Sequence, residues 1–244
     1  MNFVSRFLTK SVLFLFGDLI SFENGQYITD SPDKVIFAFN HNSSYETVLV
    51  DAFLHYMRNG RSIGFLIDWM YGYAPGFGWF IRQSEPIFVY TKPAVFGFMK
   101  RKKKRLHIKN VLEASLDKLN ENKAIALFPE GKRNRDPYKL KRARHGLATI
   151  ALEADASIIP IGIDFPQRIK KGKIPKFGRI IFRIGQPLSF HEESVQYMKA
   201  KASQKLSKDQ KNKYLNTLYN TLTDTVMLHI AELCGKKYPF SRPS

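Results

Sequence analysis

Two kinds of apolar pattern alternate along this chain. Unbroken apolar runs occupy residues 35–39 (VIFAF), 124–128 (AIALF) and 158–163 (IIPIGI), and shorter strand-like segments lie at 62–67, 86–90 and 179–184. Such a short run, bounded by polar turns, reads as a strand covered on both faces. Between the runs, apolar positions recur at three- and four-residue steps. Tyr45, Val48, Leu49, Ala52, Phe53, Tyr56 and Met57 form one such set, ended by Asn59-Gly60, and Ile108, Val111, Leu112, Ser115 and Leu119 form another. These two sets, and the segment 146–154, predict amphipathic helices. The last third is helical too, with Leu215, Leu218, Tyr219, Leu222, Val226, Ile230 and Leu233 in register.

Strands alternating with helices predict an α/β fold, a mixed, largely parallel sheet flanked by helices, with a helical C-terminal third. Residues 25–190 are the expected α/β core, and 191–244 a helical part of the same domain. Ahead of them, Phe3, Val4, Phe7, Leu8, Phe14 and Leu15 gather on one helical face edged by Arg6 and Lys10. Residues 1–24 are therefore read as an amphipathic helix, either interfacial or docked on the core. Its uncharged run over 12–16 is far short of the ~20 residues that span a bilayer.

Composition narrows the function classes. The 244 residues are 44% hydrophobic and 25% charged, as in a globular domain, which excludes intrinsic disorder and a polytopic membrane protein. Lys and Arg total 39 against 21 Asp and Glu, a net charge of +18 that calls for a polyanionic partner. Nucleic acid, an anionic membrane, phosphorylated substrates and acidic carrier proteins all qualify. A single cysteine, Cys234, excludes a disulfide framework and a cysteine-clustered zinc site, and its place in an apolar helical pattern makes it a buried spectator.

In parallel sheets ligands gather beyond the carboxyl ends of the strands. Two polar turns, 40–44 and 129–135, follow apolar runs directly and belong at one edge if those strands are parallel. The first reads Asn40-His41-Asn42-Ser43-Ser44-Tyr45-Glu46. On one continuous helix His41 and Glu46 would stand about 140° apart. With His41 in the turn and Glu46 in the first helical turn, the carboxylate reaches back to orient the imidazole as a general base. Ser43-x-x-Glu46 is also a capping box, which puts Glu46 on the backbone; the two roles are compatible.

The second turn reads Phe128-Pro129-Glu130-Gly131-Lys132-Arg133, with Arg135, Lys139, Lys141, Arg142 and Arg144 beyond it. Arginine offers a bidentate fork to phosphate and Gly131 permits a close backbone approach, so the segment is either a phosphate pocket or a solvated basic loop. His55, His107, His145, His191 and His229 lie on helices, among basic residues or outside these turns, and are read as structural or exposed.

Together the blocks resemble the lysophosphatidate and glycerolipid acyltransferases. That family's signature is N-H-x-x-x-x-D, a basic residue near I-F-V, F-P-E-G-x-R, and an apolar I-P-I/V block. Here they stand in order as Asn40-His41 to Glu46, Pro86-Ile87-Phe88-Val89-Tyr90-Thr91-Lys92, Phe128 to Arg133, and Ile158-Ile159-Pro160-Ile161-Gly162. The resemblance implies a histidine base, His41, with Glu46 as its partner. It also implies Glu130 and Arg133 on the acceptor's phosphate, and Lys92, Gly131 and Pro160 as further substrate-binding positions. Three positions depart from the pattern. Glu46 replaces the usual aspartate, as in the related lipid A late acyltransferases; Lys132 stands where threonine is common; and Lys92 stands where arginine is common, with Arg82 as its alternative.

The implied function is transfer of a fatty acyl group from an acyl thioester, acyl-CoA or acyl carrier protein, to a lysophospholipid hydroxyl, lysophosphatidate first. No resident cofactor or metal is implied, and attack is direct, without an acyl-enzyme. The enzyme would be membrane-associated at the cytoplasmic face, held by the N-terminal helix and the basic runs 100–105 and 139–144 on anionic lipid. The aromatic, glycine-rich stretch 69–81 would line an acyl groove or dip into the interface. The rivals are another lysolipid acceptor (an aminolipid or lipid A precursor) and a non-catalytic lipid- or nucleic-acid-binding module. No recognised nucleic-acid motif accompanies the basic runs.

Overall fold

The computed structural model describes residues 11, 14, 17–43, 46–73, 77–90, 110–175 and 178–241. Seven strands are β1 (Ile20–Glu23), β2 (Val35–Phe39), β3 (Ile63–Asp68), β4 (Ile87–Val89), β5 (Ala124–Leu127), β6 (Ser157–Asp164) and β7 (Ile180–Ile184). They form one sheet in the order β1-β7-β6-β2-β5-β3-β4. Neighbours are parallel except β6 and β7, which are antiparallel. The helices are α1 (Gln26–Thr29), α2 (Glu46–Met57), α3 (Phe77–Gln83), α4 (Val111–Asn120), α5 (Gly146–Ala154), α6 (Gln167–Lys171), α7 (His191–Ala202) and α8 (Lys208–Cys234). The α/β architecture read from the apolar pattern is the one observed.

Alternate residues of the central strands feed two cores. Val35, Phe37 and Phe39 of β2 pack with Leu49, Val50, Phe53 and Leu54 of α2 on one face. Ile36 and Ala38, with Ile125 and Leu127 of β5, pack on the other face beneath α5 and α8. Side chains are buried on both faces, so the strands read as continuous apolar runs rather than alternating ones. Long α8 begins with a reciprocal Ser207–Gln210 capping box and ends at Gly235, whose φ of 62° glycine adopts at least cost.

The N-terminal segment corrects the sequence reading. Residues 1–10 lie outside the described residues, but Gly17–Leu19 is a 3-10 turn and Ile20–Glu23 pairs with β7 as an edge strand, not as the end of a helix. No helix among the described residues is long and apolar enough to cross a membrane.

Pro160 also takes a place the motif did not suggest. It lies within β6, opposite Ala38 of β2. Proline is poorly tolerated inside a sheet because it lacks an N–H. Its carbonyl accepts from Gly185 N at 2.9 Å, just past the end of β7. A residue's N–H and C=O leave a strand on the same side, so the missing donor falls where β7 has already ended. Pro160 is therefore a buried sheet residue and not part of the cleft described below, which corrects its expected substrate contact.

Candidate active site

β2 and β5 are parallel neighbours, with Ala38 beside Leu127, so their two exit turns emerge side by side at one sheet edge. His41 comes two residues beyond β2 and Phe128 one beyond β5. The imidazole lies flat on the Phe128 ring, with centroids 4.0 Å apart and planes inclined by 16°.

The His41 main chain is tied to the second turn at both its polar groups. Its N–H donates to Glu130 Oε1 at 3.0 Å, and its carbonyl accepts from Asn134 N at 2.6 Å. Glu130 Oε2 accepts from Lys141 N at 2.8 Å. With both oxygens engaged and the residue 1% exposed, Glu130 faces the protein interior. This corrects its expected role on the acceptor's phosphate: a buried carboxylate with a backbone donor on each oxygen joins the two turns instead. Burial pushes its carboxyl above the ordinary range, against the pull of these N–H groups and of Lys236.

Glu46 opens α2 and is fully buried. Its Oε2 takes a 2.7 Å hydrogen bond from Asn42 N and sits 3.4 Å from His41 Nδ1. The carboxylate bonds local backbone and also faces the imidazole, but the Ser43 capping box itself is not formed. The backbone donor is Asn42 rather than the Ser43 of a capping box. Charge from the α2 N-terminus also suits a carboxylate at this position.

The loop is braced from below. Asn40 Oδ1 accepts from Ile163 N at 2.6 Å, and Asn40 Nδ2 donates to Ile163 O at 3.0 Å, closing a two-way bond with β6. Asn42 Nδ2 reaches the same carbonyl at 3.3 Å, and Asn42 Oδ1 accepts from Lys236 Nζ at 2.6 Å. The asparagines stood in the motif as its polar flank, but Lys236, 194 residues from Asn42, carried no sequence signal.

His41 lines a cleft of about 750 Å³. Its lining includes the apolar Leu66 of β3, Val89 of β4, Leu127, Phe128, Val111 of α4, and Leu147 and Ile150 of α5. It also includes the basic Lys132, Arg133, Arg135, Lys141 and Arg144, with Gly131 and the acidic Asp68. Gly131 has a φ of 64°, and a Cβ there would stand 2.9 Å from Arg144 Cδ and Nε, so glycine allows both the turn and the close arginine. Arg133 and Gly131 line the same cleft as His41. Lys92 and the run 100–105 lie outside the described residues. Arg82, the alternative to Lys92, donates to the Gly72 carbonyl and lies over the Tyr73 ring, and is not among the residues that line the cleft.

No nucleophile is paired with the histidine among the described residues. Ser43 Oγ is buried without a hydrogen bond to His41, and burial pushes the Cys234 thiol up to about 11. An activated serine or cysteine needs a base within hydrogen-bond reach or a lowered pKa. What the arrangement can do is take a proton from a hydroxyl placed in the cleft, with Glu46 opposite to stabilise the imidazolium.

A family model for acyltransferases matches residues 20–164, more than half of the chain. Among solved structures, the chain is similar to the 1-acyl-sn-glycerophosphate (LPA) acyltransferase PlsC from Thermotoga maritima. They share 18% identity and a TM-score of 0.53 over 93% of this chain and 78% of that one, a likeness of fold. No curated protein matches the chain at a significant level.

Proposed function

The chain belongs to the acyltransferase family, and from that membership we propose that it transfers a fatty acyl group from a thioester to the free hydroxyl of a lysophospholipid, with lysophosphatidate first among acceptors. One observation carries this reading. The cleft that His41 lines carries both apolar side chains and five basic ones, which suits a molecule with a hydrocarbon chain and a phosphate. A neutral sugar or an amino acid has no use for both.

The chemistry follows from the geometry. His41 Nδ1 faces Glu46, leaving Nε2 to remove the acceptor's hydroxyl proton as the oxygen attacks the thioester carbonyl. The tetrahedral intermediate collapses, the C–S bond breaks, and the imidazolium returns its proton to the departing thiolate. Products are the ester and a free thiol, with no covalent enzyme intermediate. The basic side chains, Arg133 foremost, fix the phosphate so that hydroxyl and base meet in one orientation. The donor is acyl-CoA or acyl carrier protein, both polyanionic and complementary to the +18 chain, and no resident cofactor is needed. The same charge supports a place on the anionic cytoplasmic face of a membrane.

The test is an assay of purified protein with lysophosphatidate beside other lysolipids, including an aminolipid and a lipid A precursor, each with both donors. Esterification of lysophosphatidate well above the others is the expected result. Preference for an acceptor without a phosphate overturns the acceptor class.

A further inference from the structure

The C-terminal end of α8 reaches the candidate active site from behind. Gly162 of β6 makes this approach possible, since a Cβ there would lie 2.5 Å from backbone atoms of Leu233 and Cys234. Past Gly235 the chain runs alongside the second turn: Lys237 N donates to Tyr138 O at 2.8 Å, and Leu140 N donates to Lys237 O at 2.9 Å. This pins Lys236 beneath the His41 loop with only 6% of its surface exposed. Its Nζ donates to Asn42 Oδ1 at 2.6 Å and to the Asp136 carbonyl at 2.8 Å. Asn42 N is the group that donates to Glu46 Oε2. Lys236 is thus one residue removed from the oxygen that faces His41.

A buried ammonium is costly, and its own methylene stem capped by a methyl would fill the space without that cost. What the lysine adds is charge and the two hydrogen bonds to Asn42 and Asp136. The charged and titratable groups around it are Glu46 of α2, Glu130 of the second turn, the exposed Asp136 carboxylate, the Cys234 thiol at the end of α8 and the Arg168 guanidinium of α6. Arg168 has its own partner in Asp164. Of the carboxylates among these, Glu46 and Glu130 are buried, and the ammonium offsets part of their charge beside the imidazole. Burial lowers the ammonium's pKa, while Cys234 and the two carboxylates act against that shift.

Resting on the acyl-transfer reading, we propose that Lys236 is a positioning residue for the His41–Glu46 pair, holding Glu46 through Asn42 and setting the charge against which His41 gains its proton. The variants are Lys236→Met and Lys236→Arg in the full chain. The readouts are the imidazole titration of His41 by NMR, its signal identified by its loss in His41→Ala, and the pH dependence of kcat with lysophosphatidate in detergent. Removing a nearby cation favours the imidazolium, so in Lys236→Met the titration rises by about half a pH unit or more. The acid limb of kcat moves with it. At neutral pH kcat falls about tenfold, of which the shifted limb supplies at most about threefold and the released Glu46 the rest, while acceptor KM changes less than about twofold. Lys236→Arg keeps the charge, so its titration stays within about 0.2 pH units of the parent and part of kcat returns. A lysine that merely stabilises the fold gives a lower melting temperature in Lys236→Met with the titration unmoved, and that result overturns the assignment. If Lys236→Met does not fold, Lys236→Arg decides, since a shifted titration there overturns it equally. A parent that acylates no lysolipid defeats the acyl-transfer reading, and the His41 titration in Lys236→Met still decides the role of Lys236.

Discussion

The backbone N–H of His41 donates to Glu130 Oε1 at 3.0 Å, joining residues 89 apart in the chain. Through the second oxygen the same carboxylate holds Lys141, so one buried side chain fixes the spacing between the histidine loop and the basic turn. Glu130→Ala strands two backbone donors, each worth about 1–3 kcal/mol when left unsatisfied. Denaturant melts should show a loss of about 2–6 kcal/mol, and any surviving folded enzyme should have lower kcat as the two turns separate. An undiminished melting midpoint would contradict the proposed link.

Charge at Glu130 gives a separate, signed expectation. Burial raises its folded-state pKa above the ordinary 4.5, so the native state holds the proton more tightly than the unfolded chain. The parent therefore loses this contribution as pH rises from about 4.5 through the raised value, and is level above it. Glu130→Gln has no such proton. The parent's unfolding free energy relative to Glu130→Gln should fall across that window and then stay constant. Melts of both proteins at a series of pH values check the sign, and a parent that gains on the variant as pH rises would refute it.

His41→Ala should lower turnover by about a hundredfold or more, the scale expected for a lost general base. Glu46→Gln should do less, because an amide oxygen still faces Nδ1 and still accepts from Asn42 N. Steady-state kinetics beside a thermal melt distinguish this from unfolding. Unchanged turnover in folded His41→Ala removes the mechanism.

The basic and the apolar lining residues make separable demands on substrate. Arg133→Ala should raise acceptor KM about tenfold or more for a phosphate-bearing lysolipid and leave a phosphate-free one nearly unaffected. Leu66→Trp, filling part of the apolar side, should shift preference towards shorter acyl chains by about 1–3 kcal/mol in kcat/KM between long and short. If both variants lose the same property, the cleft is not divided between headgroup and chain.

Gly131→Ala places a Cβ on a φ of 64° and 2.9 Å from the Arg144 side chain. The backbone conformation costs about 1–2 kcal/mol for a residue with a Cβ. Stability should fall by that amount and acceptor KM should rise as Arg144 is displaced. Gly131→Asn, more tolerant of this conformation, should recover stability without restoring KM.

The central strands were legible because burial on both faces writes an unbroken apolar run, and 35–39 and 146–154 have the observed bounds of β2 and α5. β1 was not legible. Four residues at an edge, three of them half-buried, carry too little pattern to oppose the helical periodicity of the segment before them. In the site, His41, Glu46, Gly131 and Arg133 were readable from local spacing and the family resemblance. A motif reports which residues stand together, not which way a side chain turns, so it offers Glu130 and Pro160 as ligands when both face the interior. Phe128 stands in the motif, yet its stacking on His41 needs β2 and β5 to be neighbours. Lys236 was invisible, since the contact that matters is made at the other end of the chain.

That distance bears on synthesis. At about 5–20 residues per second, many seconds separate the emergence of Asn42 from that of Lys236. During that interval β2, β5 and β6 can pair, but the Asn42 amide and Glu46 have no lysine beside them and must be served by water. Closing so long a loop comes late because its entropic cost is met by few contacts until α8 lies on Gly162. A nascent chain arrested before residue 236 would then carry every residue of the motif and still be slow to cleave a thioester.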